Sequence, residues 1–355
     1  MRRPSALVVR SVLAFAATFV VASVAIRLAA PPNPDFAWHP TFSAKVDHLR
    51  TTTEHYDVVF VGDSRTYRGI DPVVLDAELD ALGCPANTYN LGTLGMSKFE
   101  YDHMMEALAA TPGGTPEIIV NVEVTTLLAG LIKDFSLRNR GHMSAADAQE
   151  YLEYKSNLPA EDFGTDPAEL LDTAAGFAVN QIPIGAVHQQ LFEQAAEVDG
   201  ARRVDAPQGF QPGPEFEAEA GPEGMANLLA TLTPELENGG WEQRWAEEDL
   251  DDERLDQWLH VLGAHMDNVP EGSQGVQLFL PSFFDEGTLA DIEDGWAAEG
   301  RQEPIVNLVD TDLIGDYTDP TYFLDFWHLS PTGSEIVSKA AARELCPLIQ
   351  REVGG

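Results

Sequence analysis

Two short segments far apart in the chain contain the residue types needed to activate a hydroxyl nucleophile. Ser64 follows Gly62-Asp63, and Asp325 precedes His328 in an Asp-x-x-His pattern. An imidazole takes the proton from a serine hydroxyl near neutral pH, and a carboxylate orients the imidazole. A Gly-Asp-Ser triplet alone is usually a turn, and an isolated Asp-x-x-His usually caps a helix or faces solvent. The two segments together predict nucleophilic chemistry at Ser64.

The segment around Ser64 has the pattern of a strand, a tight turn and a helix. Residues 58–61 are β-branched or aromatic, as in a strand that is buried on both faces. Asp71 and Pro72 then suit the cap and the first position of a helix. Ligands of open α/β sheets bind at the carboxyl ends of strands. The turn therefore places Ser64 where a reacting group is useful.

Further strands and helices alternate on both sides of a central block. The pattern predicts a strand that breaks into a glycine-bearing loop within 87–97, and strands at 118–124, 275–281 and 304–309. It predicts helices at 97–110, 249–265 and from Ser330-Pro331 onward. The last helix has a buried stripe consisting of Ile336, Val337, Ala340, Ala341 and Leu345. Alternation at these lengths predicts a parallel, doubly wound α/β sheet.

The block at 134–250 does not continue this alternation. It contains helical patterns at 145–154, 167–178 and 187–196, followed by an acidic stretch rich in proline and glycine at 204–224. We interpret the block as a mostly helical insertion or lid.

The amino terminus has the pattern of a membrane anchor. Residues 11–26 lack charged and strongly polar side chains, and Arg2, Arg3 and Arg10 precede them, which holds the amino terminus in the cytoplasm. Residues 6–30 are long enough to cross a bilayer. A cleaved signal peptide is the alternative, but cleavage after Ala30 puts Leu28 where a small residue is preferred. We favour an uncleaved signal anchor, with the rest of the chain exported.

The exported part is strongly acidic. Four of the 21 basic residues precede the first acidic one, which leaves 17 basic against 58 acidic residues in the rest of the 355-residue chain. Such a surface repels nucleic acid and anionic lipid. Solubility in a salty or extracellular medium is its simplest explanation.

These motifs resemble those of the SGNH, or GDSL-like, hydrolase superfamily. The resemblance covers about 55–126 and 275–346, and it is strongest to membrane-anchored, extracytoplasmic members that O-acetylate or deacetylate polysaccharides. It implies a flavodoxin-like three-layer α/β/α core. The resulting organisation is an anchor at 1–30, a linker at 31–54, core halves at 55–133 and 251–355, and the insertion at 134–250.

The resemblance also assigns roles to residues. Ser64 is the expected nucleophile, His328 the general base and Asp325 its orienting partner. The backbone N–H groups of Ser64 and Gly95, with Gly92 as the alternative glycine, are the expected oxyanion donors.

The chain departs from the superfamily after its third strand. The usual Gly-x-Asn-Asp motif supplies an asparagine oxyanion donor, but the corresponding residues at 122–127 are Val-Glu-Val-Thr-Thr-Leu. Thr125 or Thr126 is the expected substitute, and the position of Asn121 within the strand favours a structural role. A missing donor typically lowers the rate by a factor on the order of 10²–10³.

The two cysteines are expected to form a disulfide. Cys84 follows the first helix of the sheet and Cys346 lies near the end of the last helix. In a flavodoxin-like strand order these helices are neighbours, and an exported domain meets an oxidising compartment. Two separate buried thiols are the alternative.

Other residues give weaker signals. Arg65, Tyr67 and Trp327 are candidates to line the substrate site, although an ion pair for Arg65 and core packing for the aromatic residues are more common. The histidines show no metal-ligand spacing among themselves, and the chain has no phosphate loop or dinucleotide fingerprint. We therefore expect neither a metal nor a cofactor.

These features predict a serine esterase or O-acyltransferase that acts on O-acyl, chiefly O-acetyl, esters of envelope or extracellular glycans. Its expected partners are the glycan or ester substrate, the membrane and a membrane-bound acyltransferase, with no nucleic acid. The alternatives are a non-catalytic partner of a membrane acyltransferase complex and a lipase-like carboxylesterase.

Overall fold

The computed structural model describes residues 40–94, 96, 98–122, 252–280, 286–308, 322 and 328–352. The chain divides into two compact units, Met1–Ser43 with Asp134–Ala201 and Ala44–Lys133 with Arg202–Gly355. The described elements belong to the second unit, apart from the first four residues of the first helix. The predicted anchor and the whole of the predicted insertion lie outside the described residues.

The described chain contains seven helices and five strands. In chain order they are α1 (Pro40–Thr51), β1 (Val58–Gly62), α2 (Ser64–Gly69), α3 (Pro72–Leu82), β2 (Thr88–Asn90), α4 (Lys98–Ala109), β3 (Ile118–Val122), α5 (Asp252–Asp267), β4 (Gln274–Phe279), α6 (Glu286–Ala298), β5 (Ile305–Asn307) and α7 (Pro331–Glu352).

The five strands form one parallel sheet in the order β2-β1-β3-β4-β5. Val58 of β1 pairs with Thr88 of β2 on one side and with Ile118 of β3 on the other. The chain therefore switches direction across the sheet at β1, and crevices for ligands form at the carboxyl ends of strands at such a switch point. The predicted parallel α/β fold is confirmed.

Helices cover both faces of the sheet. On one face, alternate residues of β1, β3 and β4 and one residue of β5 pack with α3 and α7 in a continuous apolar core, whose strand residues are Val58, Phe60, Ile118, Val120, Val122, Val276, Leu278 and Val306. On the other face, Tyr101 of α4 bonds to Asn121 of β3, and Asn121 contacts Met266 of α5. Burial on both faces explains why β1 is apolar throughout and why the one polar side chain of β3, that of Asn121, has a hydrogen-bond partner.

The predicted helix after the Ser64 segment forms as its cap residues indicate. Asp71 Oδ1 accepts hydrogen bonds from the N–H groups of Val73 and Val74, at 2.9 and 3.4 Å, and Pro72 is the first helical residue. The segment between β1 and α3 differs from the predicted tight turn. It is a short helix, α2, whose first residue is Ser64.

The predicted disulfide between Cys84 and Cys346 is present, with their Cα atoms 5.6 Å apart. It joins the end of α3 to α7, which pack together on one face of the sheet. It therefore links the first and last thirds of the chain.

Among the helices that the structure describes, none combines the length and the apolar character that a membrane span requires.

Candidate active site

Ser64 stands at the carboxyl end of β1, at the start of α2. Asp63 caps this helix, because its Oδ1 accepts the N–H of Arg65 at 2.9 Å and its backbone carbonyl accepts the N–H of Tyr67 at 3.0 Å. The first N–H groups of a helix have no intrahelical acceptor. The Ser64 N–H thus belongs to the set of donors that an oxyanion hole needs.

His328 lies three residues before α7, in a segment held by hydrogen bonds. The N–H of Ser330 donates to the carbonyl of Tyr322 at 2.8 Å, and Ser330 Oγ accepts the N–H of Gly333 at 3.1 Å. Leu329 is buried. As predicted, Ser330 and Pro331 begin the last helix. These contacts hold the backbone directly after His328.

Two serines of α7 bind the end of α2 and the turn that follows it. Ser334 Oγ donates to the carbonyl of Gly69 at 3.1 Å, and Ser338 Oγ accepts the N–H of Asp71 at 2.8 Å. Both serines are buried. They tie the helix that carries Ser64 to the helix that follows His328, so the two segments are held in one arrangement.

The result is a direct contact between the predicted nucleophile and the predicted base. Nε2 of His328 lies 2.7 Å from Oγ of Ser64, although 264 positions separate the two residues. Both side chains are partly buried, so the pair remains reachable. With Nε2 as the acceptor, the imidazole is placed to take the proton of the Ser64 hydroxyl during nucleophilic attack.

The loop after β2 packs against α2 through a buried asparagine. Asn90 Nδ2 donates to the carbonyls of Thr66 and Ile70, each at 2.7 Å, and its Oδ1 accepts the N–H of Gly92 at 2.8 Å. Asn90 thereby holds the glycine loop against the helix that carries Ser64. The same contacts engage the N–H of Gly92, the alternative oxyanion donor, within the loop.

Gly92 is in such close contact with α2 that no side chain fits there. A Cβ at this position would lie 2.3 Å from the backbone nitrogen of Tyr67 and 2.7 Å from Cβ of Thr66. Gly92→Ala will therefore displace α2 and lower the free energy of unfolding by about 1–3 kcal/mol. It will also displace Ser64 relative to His328, since Ser64 is the first residue of α2.

Gly69→Ala is the matched control for this prediction, because its Cβ would meet only leucine methyl groups at 3.4 Å. Urea denaturation should distinguish the two variants, because Gly69→Ala should keep nearly the wild-type free energy of unfolding. Equal effects of the two substitutions would contradict the proposed packing of Gly92 against α2.

A buried lysine, Lys45 of α1, lies beneath the same loop. Its Nζ donates to the carbonyls of Asn90, at 2.8 Å, and Gly92, and stands 4.6 Å from the centre of the Tyr67 ring. Burial lowers the pKa of the Lys45 ammonium well below its usual value near 10.5. Lys45 thus connects α1 to the glycine loop and to α2, the helix that begins with Ser64.

The lowered pKa of Lys45 predicts a pH dependence of stability. Between the folded-state pKa and about 10.5 the unfolded chain binds more protons than the folded chain, so stability rises with pH across that window. Relative to Lys45→Met, the wild-type free energy of unfolding should rise through this window by at most about 1.4 kcal/mol per pH unit.

Urea denaturation at a series of pH values tests this prediction. Lys339→Met is the control, since Lys339 is an exposed residue of α7 that pairs with Glu335. Its curve should stay parallel to that of the wild type. A Lys45→Met curve that also stays parallel would contradict the expected protonation change at Lys45.

Two predicted lining residues, Arg65 and Tyr67, are 2% exposed. Nε of Arg65 lies 3.4 Å from Oδ1 of Asp63, and the Tyr67 ring faces Lys45. Both side chains thus contact the scaffold around Ser64. The remaining predicted site residues lie outside the described residues: Asp325, Gly95, Thr125, Thr126 and Trp327.

Asn121, the asparagine nearest the absent third motif, has a structural environment. It is buried within β3, where Oδ1 accepts the hydroxyl of Tyr101 and Nδ2 lies 3.4 Å from Sδ of Met266. The side chain faces the α4 and α5 side of the sheet. This agrees with the structural role expected from its position within the strand.

Sequence patterns did not identify Lys45, Asn90, Ser334 or Ser338 as parts of this arrangement. The position of Asn90 at the end of a strand, two residues before a glycine, is the one local signal. The other three act across more than 40 sequence positions.

No protein-family model matches the chain, and no curated protein matches it.

Proposed function

We propose that this protein is a serine-dependent O-acyl esterase or O-acyltransferase that works through an acyl-enzyme on Ser64. The observation that carries the proposal is the 2.7 Å contact between Ser64 Oγ and His328 Nε2. A protein without this chemistry has no need to hold a serine and a histidine 264 positions apart in hydrogen-bond contact at the carboxyl end of a parallel strand.

The reaction has two halves. Ser64 Oγ attacks the ester carbonyl carbon while its proton passes to Nε2 of His328, and the carbonyl oxygen becomes an oxyanion beside the N–H of Ser64. Collapse breaks the bond to the leaving alcohol, which takes the proton from His328, and the acyl group stays on Ser64. Water or a sugar hydroxyl then gives its proton to His328 and attacks the acyl carbon. The bond between that carbon and Ser64 Oγ breaks, and Oγ takes the proton back from His328, which restores both side chains.

The proposed architecture is of the SGNH type. The order β2-β1-β3-β4-β5, a nucleophile directly after β1 and a base directly before the last helix support this assignment. Asp325 completes the proposed triad by accepting the Nδ1–H of His328. In this proposal Ser64 and Gly95 supply oxyanion donors, with Thr125 or Thr126 in place of the absent asparagine.

The proposed substrate class is the O-acetylated glycan of the cell envelope. The pattern of a signal anchor at 6–30 and the acidic composition of the remaining chain support an extracytoplasmic site of action. A neutral acetyl ester also avoids the repulsion that an anionic substrate meets at an acidic surface.

Trapping of the acyl group tests the proposal. The full-length chain in detergent is mixed with p-nitrophenyl acetate, quenched with acid within the first turnover and digested for mass spectrometry. The expected result is a burst of p-nitrophenol and one acetyl group on the peptide that contains Ser64. Supplying acetylated glycan oligomers or free sugar acceptors then separates hydrolysis from transfer.

A matched sample of Ser64→Ala should show neither the burst nor the acetylated peptide. Acetylation on another residue, or steady hydrolysis without acylation of Ser64, would contradict the acyl-enzyme proposal. The role of a non-catalytic partner in a membrane acyltransferase complex would then be favoured.

A further inference from the structure

A second cluster of reactive side chains lies at the amino ends of the strands, whereas Ser64 lies at their carboxyl ends. His55, Asp57 and Glu117 bring one imidazole nitrogen and two carboxylates within 4.8 Å of one another. Asp57 directly precedes β1 and Glu117 directly precedes β3, so the cluster stands at the amino ends of these neighbouring strands. Ser64 follows the carboxyl end of β1. The cluster is therefore separate from the candidate active site.

The backbone determines which nitrogen of His55 carries a hydrogen. Nδ1 lies 3.1 Å from the carbonyl oxygen of Gly113. A carbonyl oxygen only accepts hydrogen bonds, so Nδ1 is the donor. Gly113 suits this contact because its backbone lies against that of Glu54, where a Cβ would be 1.9 Å from the Glu54 carbonyl oxygen. This arrangement leaves Nε2 to face the carboxylates.

Nε2 of His55 therefore meets groups that only accept. It is 3.1 Å from both carboxylate oxygens of Glu117 and 3.9 Å from Oδ1 of Asp57. The Nε2 lone pair and two negatively charged carboxylates repel one another unless a positive charge lies between them. That charge is either a proton on Nε2 or a metal ion. Among the described residues, no lysine or arginine forms an ion pair with these three side chains.

The surroundings of the ligands match those of a metal site. Metal-binding histidines usually donate their second ring N–H to a carbonyl or carboxylate, as His55 does. Asp57 is held by the N–H of Asn87, which donates to its Oδ2 at 2.6 Å and leaves Oδ1 toward His55. The side chains of His55, Asp57 and Glu117 are 42%, 21% and 34% exposed, so an ion and its water ligands can enter.

The distances also suit one ion. Ligand atoms bound at about 2.0–2.2 Å to a common metal lie about 3.0–3.6 Å apart. The 3.1 Å separation of Nε2 from Glu117 already falls in this range, and the 3.9 Å separation of Nε2 from Asp57 Oδ1 exceeds it by less than about 1 Å. All three ligand atoms lie within 4.8 Å of one another, so a shift of Asp57 toward the other two ligands completes the set.

We propose that His55, Asp57 and Glu117 form a binding site for one divalent transition-metal ion of the Zn²⁺ type. An imidazole with two carboxylates favours Zn²⁺ or Mn²⁺ over Mg²⁺ and Ca²⁺, which prefer all-oxygen sites. The ion would join the starts of β1 and β3. The proposal does not depend on the chemistry of Ser64, and it differs from the expectation from sequence that no metal is bound.

Calorimetric titration of the chelator-treated, full-length chain with ZnCl₂ tests the site. Excess Mg²⁺ is included to occupy weak acidic positions of the surface. We expect one saturable Zn²⁺ site per chain and a rise in melting temperature. His55→Gln, Asp57→Asn and Glu117→Gln should each weaken binding at least about 10-fold and remove that rise.

His328→Gln is the matched control, because it makes the same substitution in the Ser64 pair and should leave the Zn²⁺ affinity unchanged. Melting of every variant without metal confirms that it is folded. Absence of a saturable site, or a Zn²⁺ affinity that survives substitution of His55, would overturn the proposal and assign the positive centre to a proton.

Discussion

Ser64→Ala and His328→Ala should each lower kcat/KM for acetyl-ester hydrolysis by a factor on the order of 10³–10⁵. Without Oγ, no acyl-enzyme forms at Ser64. Without the imidazole 2.7 Å away, the serine loses the group that takes its proton. Because the two groups act in one step, the double variant should be barely worse than either single variant.

The control for this prediction is Ser273→Ala. Ser273 lies just before β4, and its Oγ donates to the carbonyl of Pro116, away from the Ser64 pair. The variant should keep wild-type turnover. Matching melting curves establish that Ser64→Ala and His328→Ala are folded. If either folded variant retained more than about one tenth of the wild-type kcat/KM, the assigned chemistry would be incorrect.

Loss of the disulfide should have the largest effect on stability. Cys84 and Cys346 are 262 positions apart, so their bond closes a large loop. Closing this loop lowers the conformational entropy of the unfolded chain. Removing such a bond lowers the free energy of unfolding by about 2–5 kcal/mol. We expect this loss in the Cys84→Ala, Cys346→Ala double variant and in reduced wild-type protein, both measured by urea denaturation.

The double variant serves as its own control for the reductant. Its denaturation curve should be the same with and without reductant, whereas the wild-type curve should shift to lower urea concentration on reduction. Intact-mass analysis of alkylated samples reports whether the thiols are bonded. A wild-type curve that is unchanged after complete reduction would show that the bond does not stabilise this fold.

The repeating parts of the fold follow from local sequence. Apolar runs such as 58–61 predict strands with two covered faces, and β1 and the first three residues of β3 have them. Asp71-Pro72 and Ser330-Pro331 mark the starts of α3 and α7, since cap geometry depends on neighbouring residues alone. The contact between Ser64 and His328 was expected from the resemblance to SGNH hydrolases together with the α/β alternation.

The supports of the site depend on contacts that local patterns do not encode. Lys45 is a residue type that is usually found at the surface, but here it is buried. Its Nζ contacts two backbone carbonyls and the Tyr67 ring, which offset the loss of water. Helix α2 was predicted as a turn, because Gly62-Asp63-Ser64 has turn composition. Its short helical form is held by Asn90 from β2 and Ser334 from α7.

The cluster of His55, Asp57 and Glu117 was not predicted from the sequence, because it also depends on contacts between distant segments. A search for spaced histidines does not find it, since it contains one histidine and two acids at the starts of different strands. The parallel pairing of Val58 with Ile118 brings Asp57 and Glu117 side by side. Without the strand register, 58 acidic residues offer too many candidate ligands.

Labelling with a fluorophosphonate tests whether His328 activates Ser64. This probe reacts covalently with activated serines and needs no knowledge of the natural substrate. The full-length chain in detergent should take up one label on the peptide that contains Ser64, and both Ser64→Ala and His328→Ala should abolish labelling. A folded, disulfide-bonded wild-type protein that stays unlabelled, or a label that persists in Ser64→Ala, would contradict the activation of Ser64 by His328.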